Sequence, residues 1–346
     1  MKLSELIFDE KIIGKGSYGS VQLATHIPTK MKVAVKKLDK STIKTPKMQE
    51  TLNREIQIQK KLKHVNIVRL FSSLEDEKYI YLILEYVEQG NLFYIIRKKG
   101  MLTEDEAFYF FIQTVAGIYF LHKNGFIHRD LKPENLLVGS DNVLKICDFG
   151  WCVESQLGQE SGEGENNFDE QRNTFCGTLE YMAPEMITSK PHNHQIDVWS
   201  LGILLYELVH GRAPFRGNQI EIGREIIKGD VKFKQGCTED YKDLVKKILV
   251  QHPDERLPLV KVFVHPWVLH FQNKVRSQIK LYLSLLPFNS IKSNVRQRLQ
   301  ASLPSTANKK TVRKNSKTAT CRASMTMRKD QVTRRQRTSL LDSSKN

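Results

Sequence analysis

The sequence predicts an α+β fold of two lobes, a small β-rich lobe over residues 7–86 followed by a larger helical lobe over residues 91–270. Short runs rich in β-branched residues dominate the first region, and longer patterns of helical period dominate the second. The chain has 346 residues, which is enough for both lobes to bury a core. The sequence contains no internal repeat.

Five short runs predict the strands of the small lobe because they combine strand-like length with Val, Ile, Leu and Tyr. One long helical pattern, from Pro46 to Leu62, separates the third run from the fourth. The strand-like runs are Ile12–Gly14, Val21–Thr25, Val33–Leu38, Ile67–Phe71 and Tyr79–Leu84.

Helical patterns dominate the second region. Ala107–His122 is amphipathic, whereas Ile196–His210 is apolar on nearly every face and therefore predicts a buried helix. Residues 271–303 have apolar residues at roughly helical spacing, interrupted at Pro287. We expect a helical extension of two short helices there.

The positive charge of the chain lies in its carboxyl-terminal part. Residues 271–346 contain 18 Lys or Arg and two acidic residues, whereas residues 1–270 contain 36 of each sign. Residues 304–346, called the basic tail below, are rich in Ser, Thr, Asn, Lys and Arg, so they cannot bury enough surface to offset chain entropy. We expect the basic tail to be disordered.

The overall composition, 40% hydrophobic and 27% charged, is that of a soluble globular protein. No apolar run approaches the roughly 20 residues needed to cross a bilayer. Glu5, Asp9 and Glu10 interrupt the stretch that a secretory leader would need, so an intracellular protein is expected. Five cysteines without a C-x-x-C pair predict reduced thiols.

A glycine-rich segment, Gly14–Val21, allows three interpretations. It can be a flexible turn, a dinucleotide-binding loop with Asp39 about 20 residues later, or a hairpin that covers phosphate groups. A dinucleotide-binding loop needs a helix directly after the glycines, whereas residues 20–25 have the pattern of a strand. The phosphate-covering hairpin fits better.

Lys36 lies at the end of the alternating segment Val33-Ala34-Val35-Lys36. A lysine on a strand usually faces solvent, but the long helical pattern contains Glu55, which can hold Lys36 by an ion pair while the ammonium binds phosphates. The pair therefore favours a nucleotide site.

Three further motifs follow in order. Residues 127–135, IHRDLKPEN, place an aspartate, a lysine and an asparagine close together. Asp148-Phe149-Gly150 and Ala183-Pro184-Glu185 come later. With the glycine loop and Lys36, these motifs resemble those of the eukaryotic protein kinase family, over about residues 7–270.

The resemblance implies a bilobal protein kinase fold, ATP and Mg²⁺ as cofactors, and a role for each motif residue. Asp130 is similar to the catalytic base, Lys132 to the lysine that steadies the γ-phosphate, and Asn135 and Asp148 to the Mg²⁺ ligands. Lys36 and Glu55 complete the implied catalytic set.

The resemblance also implies an adenine pocket. Val21, Ala34 and Leu137 would enclose the ring, Leu84 stands at the gatekeeper position, and Glu85–Val87 would offer hinge backbone groups. The residues implied to bind ATP are Gly14, Gly16, Ser17, Gly19, Val21, Ala34, Lys36, Leu84, Glu85, Tyr86, Val87, Glu134, Asn135, Leu137 and Asp148.

Four motif residues have implied structural roles. His128 and Phe149 are expected to pack rather than to react. Asp197 is expected to anchor the backbone of the catalytic loop from a buried helix, and Glu185 to pair with Arg256.

Two positions indicate the substrate class. Lys132-Pro133-Glu134 and Thr178 resemble the corresponding residues of serine/threonine kinases. Glu134 resembles the carboxylate that recognises an arginine two residues before the acceptor, which predicts a preference for Arg-x-Ser or Arg-x-Thr in protein substrates. Asn91 takes the place of the glutamate that recognises an arginine three residues upstream, so that second preference is not expected.

Within the kinases, three features resemble the Aurora family. Trp151 follows Phe149-Gly150, residues 175–181 match the Aurora activation segment, and Gln59 places an amide where most kinases have an aliphatic residue. If buried, Gln59 needs a water or an activating protein on the small lobe as its partner; the alternative is a helix position facing solvent.

Thr174 matches the activating phosphorylation site of that family, where Arg129 would bind the phosphate. Arg172 two residues earlier makes self-phosphorylation plausible; the alternative is an ordinary threonine in a polar loop.

The segment from Asp148 to Thr174 is longer than in Auroras and acidic, so a mobile loop is expected. Since the kinase body begins almost at Met1, a regulatory segment is expected at the carboxyl end.

The basic tail has several possible partners: nucleic acid, acidic tubulin surfaces, anionic lipid, the acidic loop at residues 154–170, or the substrate cleft as a pseudosubstrate. The alternative is a solvated tail with little function of its own. Ser324 and Ser339 both follow the Arg-x-Ser pattern. An Aurora-like regulator of the cell cycle at the spindle or chromosomes, in cytoplasm or nucleus, is expected. A calcium/calmodulin-type or Polo-like kinase, or a pseudokinase scaffold that binds through the tail, remain the alternatives.

Overall fold

A computed structural model describes residues 1–16, 19–155 and 178–275 of the chain. Its amino-terminal part is a five-stranded antiparallel sheet with the order β1-β2-β3-β5-β4. Residues 33–35 and 81–83 of the two central strands are buried, whereas most residues of the first strand are exposed. The strands are β1 Leu6–Gly16, β2 Gly19–His26, β3 Met31–Asp39, β4 Leu70–Glu75 and β5 Tyr79–Glu85.

Helix α1, Pro46–Lys61, packs beside this sheet. Thr45 caps it by accepting a hydrogen bond from the Met48 amide, and Pro46 occupies the first turn, where its missing N–H does no harm. One face of α1 is buried and includes Glu55 and Gln59. The helix therefore carries two polar side chains into the interior.

The second lobe is helical. Its longest helix begins with a capping box between Thr103 and Glu106, and the almost fully buried helix that was predicted ends at Gly211 in a left-handed conformation. The helices are α2 Leu92–Lys99, α3 Glu104–Lys123, α4 Pro184–Ile187, α5 Gln195–His210, α6 Gln219–Lys228, α7 Glu239–Ile248, α8 Leu259–Val262 and α9 Pro266–Val275.

Two short antiparallel pairs lie in the second lobe next to the boundary between the lobes. Strand β6, Phe126–Ile127, pairs with β9, Val153–Glu154, and β7, Leu136–Val138, pairs with β8, Leu144–Ile146. The segment between α1 and β4 reaches β8, since the Ile146 amide donates to the Asn66 carbonyl and the Val68 amide to the Ile146 carbonyl. This segment ties the lobes together behind the cleft.

Each lobe has its own apolar core. Two small clusters stabilise the sheet, one on each face, and a large continuous cluster fills the second lobe around α3 and α5. Trp199 and Trp267 are among the largest side chains that this second core buries completely. The predicted α+β fold of two lobes is confirmed.

Two predicted strand boundaries were wrong. The run at Ile67–Phe71 is strand β4 displaced to Leu70–Glu75, because Ile67 and Val68 bond to β8 of the other lobe instead of the sheet. Strand β1 begins at Leu6, well before the predicted Ile12, because exposed residues of an edge strand hide its pattern.

The helical extension predicted for residues 271–303 falls within the described residues only up to residue 275, where it continues α9. The basic tail lies outside the described residues. Among the described helices, none combines the length and the apolar character that crossing a membrane requires.

Candidate active site

The glycine-rich segment forms the hairpin between β1 and β2. Gly14 pairs with Val21, and Gly16 pairs with Gly19, so the residues after the glycines form a strand rather than a helix. This result excludes the dinucleotide-binding arrangement. Ser17 at the tip of the hairpin lies outside the described residues.

Lys36 lies directly below this hairpin, since it pairs with Val21 on one side and with Leu82 of β5 on the other. The predicted ion pair is confirmed: its ammonium lies 3.1 Å from Glu55 Oε1. Burial alone would lower the pKa of Lys36, but the charges of Glu55 and Asp148 outweigh burial and raise this pKa above its ordinary value. Lys36 therefore stays cationic in the cleft.

Asn135 and Asp148 come together because of the β7–β8 pair. Leu136 pairs with Ile146, so the residue before β7 and the residues after β8 lie at the same end of this ribbon. The Cys147 amide donates to the Asn135 carbonyl over 2.9 Å, which fixes this proximity. Asp148 adopts a φ of +63°, a strained conformation that turns its side chain out of the strand direction.

Asp130, Lys132 and Asn135 form one hydrogen-bonded cluster. The Lys132 ammonium lies 2.9 Å from Asp130 Oδ2 and donates to Thr178 Oγ1 over 3.1 Å. The amide of Asn135 donates to the Asp130 carboxylate over 3.0 Å and to its backbone carbonyl over 2.8 Å. A carboxylate, a cation and a polar hydroxyl thus meet at the cleft.

A buried aspartate holds the backbone of this loop. Asp197 accepts hydrogen bonds from the amides of His128 and Arg129, each over 2.9 Å, and lies 2.8 Å from His122 Nε2. Burial would raise the pKa of Asp197, but these donors and the nearby histidines lower it. The predicted anchor is confirmed.

The other predicted structural contacts are also confirmed. His128 and Phe149 are buried and their rings meet edge to face at 5.4 Å. Arg256 binds Glu185 with two parallel hydrogen bonds of 2.7 and 2.6 Å. These contacts join segments of the second lobe that lie close to the cleft.

The implied adenine-binding residues line the boundary between the lobes. Ala34 pairs with Leu84 across β3 and β5, while Leu137 bridges to Asn91 beyond the hinge. Two hydrogen bonds between residues 89–90 and Val138 fix the hinge to β7. Tyr86 and Val87 lie in this hinge, and Glu85 binds Lys145 of β8 over 2.9 Å.

The donor set fits a hard divalent cation. Asp148 would supply a carboxylate and Asn135 an amide oxygen, and both are oxygen ligands of the kind that Mg²⁺ prefers. Within the described residues, no group of three or more His, Cys, Asp or Glu side chains forms a complete cage for a metal. Two protein ligands would be sufficient for a metal ion that arrives with a nucleotide, because phosphate oxygens and waters supply the remaining ligands.

Sequence reasoning predicted Glu134 but missed a second carboxylate that acts on it, Glu207. Glu207 of α5 accepts a hydrogen bond from the Tyr181 hydroxyl over 2.5 Å. Burial and the nearby charges of Glu134 and Glu180 raise the pKa of Glu207, whereas Tyr181 and Arg97 oppose the rise. Glu134, Glu180 and Glu207 are therefore close enough for their charges to interact. Glu207 was missed because it sits in a helix that is apolar on nearly every face.

Arg54 was also missed, because Glu55 was the only residue of α1 whose sequence pattern indicated an ion pair at the cleft. Burial raises the pKa of the Cys152 thiol, and the charges of Arg129 and Arg54 act in the opposite direction, so both guanidinium groups lie near Cys152. Arg129 also donates to the Trp151 carbonyl over 2.7 Å. Arginines of both lobes thus approach the start of the activation segment.

The structure corrects the expectation for Gln59. The side chain is buried as predicted, with 4% exposed, but its amide nitrogen donates to the Val68 carbonyl over 3.2 Å. The chain itself therefore supplies a partner that was expected from water or an activator. Thr174 and Arg172 lie outside the described residues.

Comparisons with known proteins agree with this geometry. A family model for the protein kinase domain matches residues 8–268. The chain is similar to Aurora kinase of Candida glabrata, with 38% identity over 258 residues, which cover 74% of this chain and 69% of the relative. It is also similar to Aurora kinase B of Mus musculus, with 40% identity over 257 residues covering 74% and 71%. Aurora kinase of Schizosaccharomyces pombe is 38% identical over 265 residues, covering 76% and 71%.

Proposed function

The chain belongs to the Aurora family of serine/threonine protein kinases, and we propose that it transfers the γ-phosphoryl group of Mg²⁺-bound ATP to protein serines or threonines that follow an arginine by two residues. The mitotic role of the family extends to this chain. A calcium/calmodulin-type or Polo-like kinase and a pseudokinase scaffold are not favoured by these relatives.

The observation that carries the proposal is that the Lys36 ammonium and the carboxylates of Asp130 and Asp148 converge on one cleft. Lys36, held by Glu55, faces Asp148 closely enough for its pKa to respond to that carboxylate. Asp130 and Lys132 lie beside Thr178 on the other side. A triphosphate bound there meets a cation at each end, which favours phosphoryl transfer through positioning and charge stabilisation.

Each residue then has a defined task. Lys36 binds the inner phosphates, Lys132 the γ-phosphate, and Asp130 orients the acceptor hydroxyl and takes its proton. Asn135 and Asp148 hold Mg²⁺, which neutralises charge on the phosphate oxygens when bound. Gly14, Gly16, Ser17 and Gly19 cover the phosphates from above.

The arginine preference rests on Glu134, Glu180 and Glu207. Burial and the repulsion among these carboxylates raise the pKa of Glu207, and the Tyr181 hydroxyl and Arg97 only partly offset the repulsion. A guanidinium between Glu134 and Glu207 would relieve it with charge-assisted, bidentate hydrogen bonds. Lysine offers a point charge without this planar geometry, so arginine should be preferred.

Steady-state kinetics on three serine peptides, with Arg, Lys or Ala two residues before the serine, test the preference. We expect kcat/KM for the Arg peptide to exceed that for the Ala peptide by about tenfold or more, a ratio that Glu134→Gln and Glu207→Gln each reduce. Equal kcat/KM for the three peptides would refute the preference but not the kinase activity.

An activating partner has a suitable place at the end of α1. A cavity of about 340 Å³ lies between α1 and β4, lined by apolar and cationic groups. Its cations complement an acidic segment with one or two apolar side chains. The lining residues are Lys60, Leu62, Lys63, Arg69, Leu70, Phe71, Ser72 and Ser73.

Charge reversal at the rim of this cavity tests the docking site. Lys63→Glu, an exposed position outside the catalytic machinery, should leave the basal activity of the chain intact and abolish activation by an acidic partner. Undiminished activation of the variant would place the partner elsewhere.

Activation by phosphate is proposed at Thr174, with Arg129 and Arg54 as the phosphate-binding cations. A phosphate brings about −1.5 to −2 charges at neutral pH, enough to hold guanidinium groups from both lobes.

The basic tail is proposed to direct the enzyme to nucleic acid or acidic tubulin surfaces on chromosomes or the spindle, with an affinity that falls as salt rises.

A further inference from the structure

Helix α6 exposes two isoleucines on one of its faces. Ile220 is 67% exposed and Ile227 is 49% exposed, whereas Ile222 and Ile226 of the same helix are buried. Among the helices that the structure describes, only α6 has two large apolar side chains that are more than a third exposed. Single exposed apolar residues are common on protein surfaces, but two on one helix face form a patch that a partner can cover.

An arginine lies between the two isoleucines. At about 100° per residue, positions 220, 224 and 227 fall within an arc of about 60°, and the isoleucines are about 10 Å apart along the helix axis. Arg224 is exposed, and so is Arg216, which precedes the helix by three residues. Within residues 1–16, 19–155 and 178–275, neither arginine forms an ion pair. The face therefore combines two apolar groups with positive charge that no ion pair neutralises.

The fold holds this face in a fixed position. Asn218 begins α6 with a capping box, in which the Glu221 carboxylate accepts a hydrogen bond from the Asn218 amide over 2.9 Å. Before the helix, Phe215 stacks on Trp199 of α5 with ring centroids 6.0 Å apart. Gly229 ends the helix in a left-handed conformation. A surface that is already ordered loses little conformational entropy when a partner binds.

Helix α6 lies beside the segment that contains Thr178. It packs against α4 and against the turn Leu179–Tyr181. Thr178, directly before this turn, accepts a hydrogen bond from Lys132 of the catalytic loop over 3.1 Å. A protein bound to α6 therefore has the rest of its chain close to the cleft.

We propose that the face formed by Ile220, Arg224 and Ile227 docks an acidic amphipathic helix of protein substrates, separate in sequence from the serine or threonine that is phosphorylated. A helix suits this face because apolar residues seven positions apart repeat the spacing of the two isoleucines, and a carboxylate between them can meet Arg224. Further acidic residues would face Arg216. The inference rests on the proposed function, because it takes the docked protein to be a substrate.

Docking changes the concentration of the acceptor rather than the chemistry. A serine tethered to a docked helix is present at an effective concentration of the order of millimolar. Helix α6 contributes no group to the cluster of Asp130, Lys132 and Asn135. KM should therefore fall for a substrate that carries the helix, while kcat stays the same.

The test compares two peptide substrates of the full chain. One is a short Arg-x-Ser peptide, and the other joins the same peptide to a helical probe of about 20 residues, with two isoleucines seven positions apart and acidic residues around them. Gly/Ser linkers of about 5, 15 and 25 residues have root-mean-square lengths of about 12, 21 and 28 Å, which cover a range of separations between the two sites. We expect KM to be about tenfold lower for the substrate with the probe. Fluorescence anisotropy of the labelled probe without ATP measures binding independently of activity.

Charge reversal identifies the face that binds the probe. Arg224→Glu should remove the advantage of the acidic probe and should bind a second probe, with Lys in place of the acidic residues, better than the acidic one. Ile227→Gln should weaken the binding of the acidic probe, and neither variant should change kcat/KM for the short peptide. The matched controls are Ile27→Gln and Lys32→Glu, at exposed positions of the small lobe. They should leave binding of the probe unchanged.

Three results would overturn the inference. If the probe does not bind, or if KM is the same with and without the probe at every linker length, α6 is not a docking site, and a phosphorylated short peptide keeps the proposed function intact. An advantage that survives in both Arg224→Glu and Ile227→Gln places the helix on another surface. If neither peptide is phosphorylated, the proposed function falls, and the docking of substrates falls with it.

Discussion

Lys36 and Glu207 are both largely buried charged side chains, but their neighbours stabilise the charge of Lys36 and destabilise that of Glu207. Burial disfavours the charge of both, but Glu55 and Asp148 surround Lys36 with opposite charge, whereas Glu134 and Glu180 surround Glu207 with like charge. Lys36 is therefore stabilised as a cation. Glu207 is disfavoured as an anion, which suits the proposed binding of a substrate arginine.

This difference predicts a pH dependence of specificity. The raised pKa of Glu207 keeps the carboxyl protonated to a higher pH than its ordinary 4.5, and only the ionised form binds arginine strongly. The ratio of kcat/KM for Arg and Ala peptides should therefore rise as pH increases above the ordinary pKa of 4.5. Taking the ratio cancels the titration of groups that serve both peptides.

Glu207→Gln is the control for this pH profile. The amide does not titrate, so the variant should show a lower ratio and a flatter profile. A rise with pH that is as steep in Glu207→Gln as in the wild type would contradict the role of Glu207.

Asp197 is the second residue whose charge has a measurable consequence. In Asp197→Asn one oxygen replaces two charged acceptors, so an amide of the catalytic loop and the His122 bond lose their partner. The free energy of unfolding should fall by about 2 to 3 kcal/mol. Urea unfolding measures the loss, and Asp254→Asn at an exposed position should stay within about 0.5 kcal/mol of the wild type.

The pH dependence of this loss has a defined sign. Since the folded pKa of Asp197 lies below its ordinary value of 3.8, its stabilisation is complete above that value and is lost as pH falls through the folded pKa. The difference between wild type and Asp197→Asn should be constant near neutral pH and shrink only in acid. A difference that already shrinks between about pH 7 and 5 would contradict this assignment.

The ion pairs of Lys36 with Glu55 and of Glu185 with Arg256 were predictable from sequence, because the resemblance to protein kinases implies both partners. Glu207 and Arg54 were not, because no motif marks them and only the fold brings α5 and α1 to the cleft. The partner of Gln59 also escaped prediction, since the Val68 carbonyl belongs to a segment whose path depends on β8.

At the scale of elements, Gly19 of the glycine hairpin occupies a position where only glycine fits. A Cβ atom at Gly19 would lie 1.8 Å from the Lys37 carbonyl oxygen of the neighbouring strand, whereas a Cβ at Gly14 would meet only the Val21 side chain at 3.6 Å. Gly19→Ala must separate β2 from β3.

These two glycines form a matched pair. Gly19→Ala should lower the free energy of unfolding by about 1 to 3 kcal/mol, and Gly14→Ala should change it by less than about 1 kcal/mol. Thermal unfolding of both variants without nucleotide tests the difference. Equal melting temperatures would mean that β3 does not restrict Gly19.

Helix α1 provides a second prediction at this scale. Because Gln59 already has the Val68 carbonyl as a partner, Gln59→Met should not raise basal activity, and it should destabilise the chain by about 1 kcal/mol through the lost hydrogen bond. Peptide phosphorylation and urea unfolding measure the two effects. Strong activation by Gln59→Met would instead indicate that the Gln59 amide lacks a partner until an activator binds.

Most elements were predictable where hydrophobic period and length agree, as in α1, α3 and α5. The boundaries of β1 and β4 were not, because β1 is an edge strand with exposed apolar residues and because the residues before β4 leave the sheet to bond with β8. Tertiary contacts decide such boundaries.

At the scale of the whole molecule, the two lobes meet at the hinge and at the segment between α1 and β4. The first contact fixes residues 89–90 to Val138, and the second fixes Asn66 and Val68 to Ile146. Both contacts lie beside β7 and β8, the ribbon that carries Asn135 and Asp148. The fold therefore positions Lys36 of the small lobe against Asn135 and Asp148 of the large lobe, the proposed Mg²⁺ ligands.

The most direct measurement is transfer of labelled γ-phosphate from Mg²⁺-ATP to serine in an Arg-x-Ser peptide by the full chain and by Asp148→Asn. We expect transfer by the wild type, about a hundredfold or greater loss of kcat in Asp148→Asn, and loss of activity when Mg²⁺ is chelated. A well-folded wild-type chain that transfers no phosphate, or an Asp148→Asn variant as active as the wild type, would contradict catalysis in this cleft.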